Sequence, residues 1–171
     1  CPYYDATLGG LPALRFDGNL SNLDIVTGTS PIVNSIEFTY LVVFRSLASS
    51  RYVFTNYHNG DTTTRLNVSS SRITSGYYDS TVASRSLDFT HTTTPRIVTG
   101  RVRLATSGFI SCDTTNGTES LFATLGDTNN VAVTNIRIGA RASSAIAAFY
   151  GEIAEIALYT RVLDSSEIAA L

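Results

Sequence analysis

Between Glu37 and Arg45 the chain alternates, with Phe38, Tyr40, Val42 and Phe44 at every second position and Glu37, Thr39, Leu41, Val43 and Arg45 between them. A period of two puts one set on a single face of a pleated strand and the other set on the opposite face. One face is wholly apolar and the other is mixed, which predicts a strand in the middle of its sheet. Short runs rich in Val, Ile, Phe, Tyr and Thr, separated by Gly, Asn, Asp and Ser clusters, continue from end to end, the pattern of a sandwich or barrel. They predict strands over 13–17, 23–26, 37–45, 52–56, 64–69, 72–75, 82–89, 96–104, 108–113, 120–123, 134–138 and 151–159. Asn59-Gly60, Asn116-Gly117 and Gly76 are placed where tight hairpins with positive φ are expected, so 57–61 and 76–80 read as loop tips. The helical signal is terminal: Asp164 stands three residues before Glu167, an N-cap with its capping-box partner, and predicts one or two turns.

Length and composition narrow the classes. A chain of 171 residues, 43% hydrophobic and 15% charged, is too apolar for disorder and suits one β-sandwich core, so 1–171 is expected to be a single domain. The apolar run 36–44 is broken by Glu37 and Thr39 and falls short of the roughly 20 residues a membrane-spanning helix needs. With a net charge of −2 there is no basic field for a phosphate backbone, and nucleic acid is not an expected partner. All 12 cationic side chains are Arg, and Lys, Gln, Met and Trp are absent, for which the sequence offers no physical reason. The 43 Ser and Thr residues suit the hydroxyl-rich surface of an exported protein. Sequons at Asn19, Asn67 and Asn116 match the about 2.5 that composition gives by chance. The chain begins without Met and is expected to belong to a larger chain or assembly.

Cys1 and Cys112 fit neither a zinc spacing nor a C-x-x-C redox motif, and only His58 and His91 accompany them. A long-range disulfide leads; free buried thiols and a terminal or lipidated Cys1 remain open.

Towards the C-terminus, Ile136-Arg137-Ile138-Gly139, Phe149-Tyr150-Gly151-Glu152-Ile153-Ala154-Glu155-Ile156-Ala157-Leu158-Tyr159, Arg161-Val162-Leu163 and Glu167-Ile168 follow one another. This order resembles the closing signature of laminin-G-like modules of the concanavalin A-like lectin-glucanase superfamily. Leu14-Arg15-Phe16-Asp17-Gly18 resembles that family's opening strand, whereas 60–130 shows only architectural likeness and lacks the family's mid-domain Trp. The resemblance implies an all-β, two-sheet antiparallel jelly-roll sandwich with a short C-terminal helix. It implies no ligand, because the superfamily hosts lectins, adhesion modules, hydrolases and virion proteins.

Catalytic constellations are sparse. The E-x-D-x-x-E spacing that aligns hydrolase carboxylates is absent. Glu152 and Glu155, three apart, would face opposite ways on a regular strand, roughly 10 Å apart at about 3.3 Å per residue. No G-x-S-x-G elbow supports a triad with His58 or His91. Sugar binding needs aromatic faces for stacking and Asx or His groups for hydroxyls. That mixture occurs twice, in Tyr57, His58, Asn59 and Asp61 and in Tyr77, Tyr78 and Asp79, the candidate ligand-binding residues. Asp113, Asn116, Asp127 and Asn129 are oxygen-rich enough to be calcium candidates, although Asx clusters also make turns. No cofactor is required, and calcium is the candidate ion.

The expectation is a non-catalytic recognition or adhesion module, extracellular or on a cell or virion surface, binding a glycan or a glycoprotein. The alternative is a structural building block whose partners are neighbouring subunits of a fibre, capsid decoration or surface layer. A hydrolase is the third reading.

Overall fold

The computed structural model describes residues 3–19, 23–26, 37–48, 51–58, 61–69, 72–77, 85–90, 92–103, 107–112, 115–116, 120–121, 135–140 and 148–171. Among them are the strands β1 (Tyr3–Leu8), β2 (Leu11–Asp17), β3 (Leu23–Val26), β4 (Glu37–Ser46), β5 (Arg51–His58), β6 (Asp61–Val68) and β7 (Arg72–Tyr77). They continue with β8 (Arg85–Thr90), β9 (Arg96–Arg103), β10 (Ser107–Cys112), β11 (Thr115–Asn116), β12 (Ser120–Leu121), β13 (Asn135–Ile138) and β14 (Tyr150–Tyr159), and the helix α1 (Ser165–Ala169) closes the chain.

The strands form two antiparallel sheets. One has the order β1-β2-β14-β4-β9-β10-β11 with β12 also paired to β10, and the other the order β3-β13-β5-β6-β7-β8. Strands β2, β3, β4 and β5 alternate between the sheets, so the chain crosses the sandwich repeatedly before it meanders through β5–β8. The expected two-sheet antiparallel sandwich with a short terminal helix is the observed fold.

The core lies where the alternation put it. Phe38, Tyr40, Val42 and Phe44 are all buried on β4, which is central between β14 and β9. They meet Val53, Phe54, Leu66, Val68 and Ile136 from the second sheet in one apolar cluster. Phe149 takes Phe16 and Phe44 edge-on, with centroids 5.8 and 6.2 Å away, the arrangement the ring quadrupole favours. Tyr40 needs a glycine opposite it. A Cβ on Gly100, its cross-strand partner, would fall 2.1 Å from Tyr40 Cζ, so the ring occupies the space a side chain would fill.

A β-bulge changes the reading of β14. Ile153 pairs with Phe44 but Glu155 pairs with Val43, leaving Ala154 as the extra residue. Regular alternation would send Ile153 to the face opposite Ile156 and Leu158; the bulge instead turns all three towards the core, where they pack together. It also corrects the expectation for the two acidic residues. Glu152 pairs with Arg45 and Glu155 with Val43, two positions apart on β4, so both glutamates belong to the outer face. Gly151, just before them, has φ 156°, and a Cβ there would lie 2.1 Å from the Arg45 carbonyl oxygen.

Other differences are local. β1 is missed by the pattern because a register shift between Tyr4 and Ala6 takes Asp5 out of alternation. The β10–β11 hairpin pairs Cys112 with Thr115, so its connection is 113–114 and not Asn116-Gly117. Gly76 is a strand residue paired with Arg65 and Ser86, not a turn, because β7 extends to Tyr77.

The C-terminal segment is clasped onto the outer face of the larger sheet. Thr39 Oγ1 donates to the Arg161 carbonyl and accepts from the Leu163 amide, both at 2.9 Å, and Leu163 is buried. Arg101 Nη1 adds a bond to the Leu163 carbonyl at 3.2 Å. The predicted capping box forms: Asp164 Oδ1 accepts from the Ser166 and Glu167 amides, and Glu167 Oε2 accepts from the Asp164 amide.

Candidate functional site

The candidate ligand residues lie at one end of the six-stranded sheet. β5 ends at His58 and β6 begins at Asp61, with these two residues paired, so two residues connect the strands, the length of a tight hairpin. β7 ends at Tyr77, paired with Thr64 and with Arg85 at the start of β8. On the other side Tyr57 pairs with Asn135 at the start of β13, and Asn135 pairs with Val26 at the end of β3. Tyr57 and Tyr77 therefore stand at the same end, two strands apart, roughly 10 Å at the usual strand spacing.

Tyr57, His58, Asp61 and Tyr77 are strand residues and not loop-tip residues as the sequence suggested, because β5, β6 and β7 run further than their apolar periodicity. Asn59, Tyr78 and Asp79 lie outside the described residues. Of the calcium candidates Asn116 is on β11, paired with Ser111, while Asp113, Asp127 and Asn129 lie outside the described residues. Among the described residues no group of three metal-ligating side chains converges. Cys112 ends β10 opposite Val98, and Cys1 lies outside the described residues.

The sequence missed a second polar constellation. Glu152 pairs with Arg15 on β2 and with Arg45 on β4, which sets the three in one row across the outer face of the larger sheet. Glu152 is 1% exposed, while the two arginine side chains are 34% and 35% exposed. Arg45 Nε donates to Oε2 at 2.5 Å, and Arg15 Nη1 stands 3.6 Å from Oε1. The hydrogen bond to Glu152 raises the Arg45 pKa above its ordinary value against the opposing effect of desolvation. The next row along β14 holds Tyr150 opposite Asp17. No local motif could have found this set, because its members come from three strands distant in sequence.

This arrangement bears on catalysis. Although Glu152 and Glu155 share a face, Glu152 is buried beneath two arginines and Glu155 is exposed, so the pair does not flank an open cleft as paired glycosidase carboxylates must. A cleft of about 450 Å³ does open where β2 leaves β14 beyond Ile153, lined by Leu11, Pro12, Leu14, Ile138 and Ile156 among others. Its walls are mostly aliphatic, and Glu155 is the one charged side chain lining it among the described residues, so it lacks the several convergent polar groups that orient a sugar.

No family model matches the sequence, and no curated protein matches it by sequence. Solved structures match its fold. The binding domain of botulinum neurotoxin serotype G is similar over 99% of this chain and 44% of that one, with TM-score 0.76 and 11% identity. The serotype D binding domain gives TM-score 0.72 at 11% identity, over 96% of this chain and 43% of that one. The K499G mutant of NanB sialidase from Streptococcus pneumoniae gives 0.71 at 13%, over 92% and 27%. The chain thus spans less than half the length of these structures. At such identities the likeness establishes the β-sandwich fold.

Proposed function

We propose that this chain is a non-catalytic recognition module that acts outside the cell, or on a cell or virion surface, by binding a glycan or glycoprotein. The observation that carries the reading is topological: the strand ends bearing Tyr57, His58, Asp61 and Tyr77 meet at one end of the smaller sheet. Aromatic rings for pyranose faces and directional polar groups for hydroxyls are the means by which a rigid sandwich recognises sugar. Support comes from the fold likeness to neurotoxin binding domains, one of them described as a receptor binding domain, although NanB is an enzyme. Calcium at Asp113, Asn116, Asp127 and Asn129 is a subsidiary proposal, tested by whether chelation abolishes binding.

The test is a glycan array probed with the wild-type chain and with a Tyr77→Ala, Tyr78→Ala double variant. A defined glycan is expected to bind, and the double variant to lose about 1–3 kcal/mol of binding free energy while keeping its circular dichroism. Unchanged affinity for a confirmed glycan would show that the tyrosines are packing residues; silence across the array would remove the glycan reading itself.

A further inference from the structure

The row Arg15–Glu152–Arg45 and its neighbour Tyr150 are not used by a site at the strand ends, and together they form a complementary surface. Tyr150 is an aromatic side chain 37% exposed on this face. Glu152 Oε1 is buried, yet it accepts no hydrogen bond from any described residue. A buried carboxylate oxygen without a donor is unfavourable and marks a place where a donor is wanted. Arg45 uses only Nε on Glu152, and no described hydrogen bond holds Arg15.

The geometry points to a saccharide-contact site on this outer face that takes an uncharged pyranose. A sugar hydroxyl both donates and accepts, which matches one orphaned carboxylate oxygen beside guanidinium donors. To donate to Glu152 Oε1 while accepting from Arg15 Nη1, a tetrahedral hydroxyl needs those atoms farther apart than 3.6 Å. An outward movement of Arg15 by about 1 Å provides that. Successive rows on one strand face are two residues apart, about 7 Å, so a pyranose stacked on Tyr150 places its hydroxyls over the arginine row. Charge selects the class: Arg15 and Arg45 are balanced by Glu152 and Asp17, and Glu155 lies further along the same face. The patch has no positive field to draw a carboxylated or sulfated sugar.

This site rests on the glycan reading above but occupies a different surface, so the two are separable by heteronuclear NMR. The intact chain is titrated with the methyl glycosides of glucose, galactose and mannose, and with methyl glucuronide as the carboxylated counterpart of the first. The expected result is that at least one neutral glycoside shifts the amides of Arg15, Arg45, Tyr150 and Glu152, and that the glucuronide binds several-fold more weakly than methyl glucoside or not at all. Tyr150→Ala and Arg15→Met should each weaken the neutral sugar about tenfold, and Tyr150→Phe should restore it. Shifts confined to 57–62 and 72–77 would overturn this site and leave the strand-end reading standing. Shifts at Tyr150 that survive Tyr150→Ala with unchanged affinity, or tighter binding of the glucuronide than of the glucoside, would also overturn it; no shift with any of these glycosides would overturn this site and leave the strand-end reading to the array.

Discussion

Gly100 is constrained by what lies across from it and not by its own backbone. Tyr40 is fully buried, its ring 5.7 Å from that of Phe54 across the sandwich, and it reaches this position by passing over the bare Cα of its partner. Gly100→Ala would drive a methyl into the ring, and a packed core yields little to such an insertion. The expected loss is about 1–3 kcal/mol, read as a lowered urea midpoint with an unchanged slope. A Tyr40→Leu substitution in the same background should recover part of it by vacating the space. Had only the sequence been available, Gly100 would pass as a weak strand residue, because the reason for it sits on another strand.

Among the elements, β14 and the C-terminal clasp show how local signals and register combine. The capping box was legible because Asp164 and Glu167 are three apart and act on each other. The hydrogen bonds from Ser166 and Glu167 hold Asp164 below its ordinary pKa, and the Arg161 guanidinium does the same for Glu167, which it grips through both oxygens. Because both folded-state pKa values are depressed, the stabilisation is present above the unfolded values near pH 4 and is lost as pH falls through the lower folded ones. Both groups are solvent-exposed, so the effect is local fraying and not global unfolding. Acidification below about pH 4 should lower the amide protection factors, taken against the intrinsic exchange rate at each pH, at Glu167, Ile168 and Leu171 while leaving those of Val42 and Phe44 unchanged. The bulge at Ala154 was not legible. A single extra residue costs nothing in composition but exchanges the faces of everything beyond it, and it moved Glu155 onto the face of Glu152.

At the scale of the whole molecule, the remaining question is how the N-terminus is tied. We propose that Cys1 is bonded to Cys112, which ends β10 on the larger sheet. Such a bridge closes a loop of more than a hundred residues, worth about 4–5 kcal/mol in the chain-entropy account. Unfolded, unreduced protein should then titrate with no free thiol, and two thiols per chain would contradict the bridge. The sequence by itself determined the β class, the central strand through Phe38, Tyr40, Val42 and Phe44, and the capped terminal helix, because each depends on periodicity or on residues within one turn of each other. Tertiary structure alone decided which strands are neighbours, and therefore that Tyr57 and Tyr77 share an end of a sheet and that Arg15 and Arg45 converge on Glu152. Pairing between strands joins residues as far apart as Leu14 and Ile153, 139 positions, and no local pattern carries register over that distance.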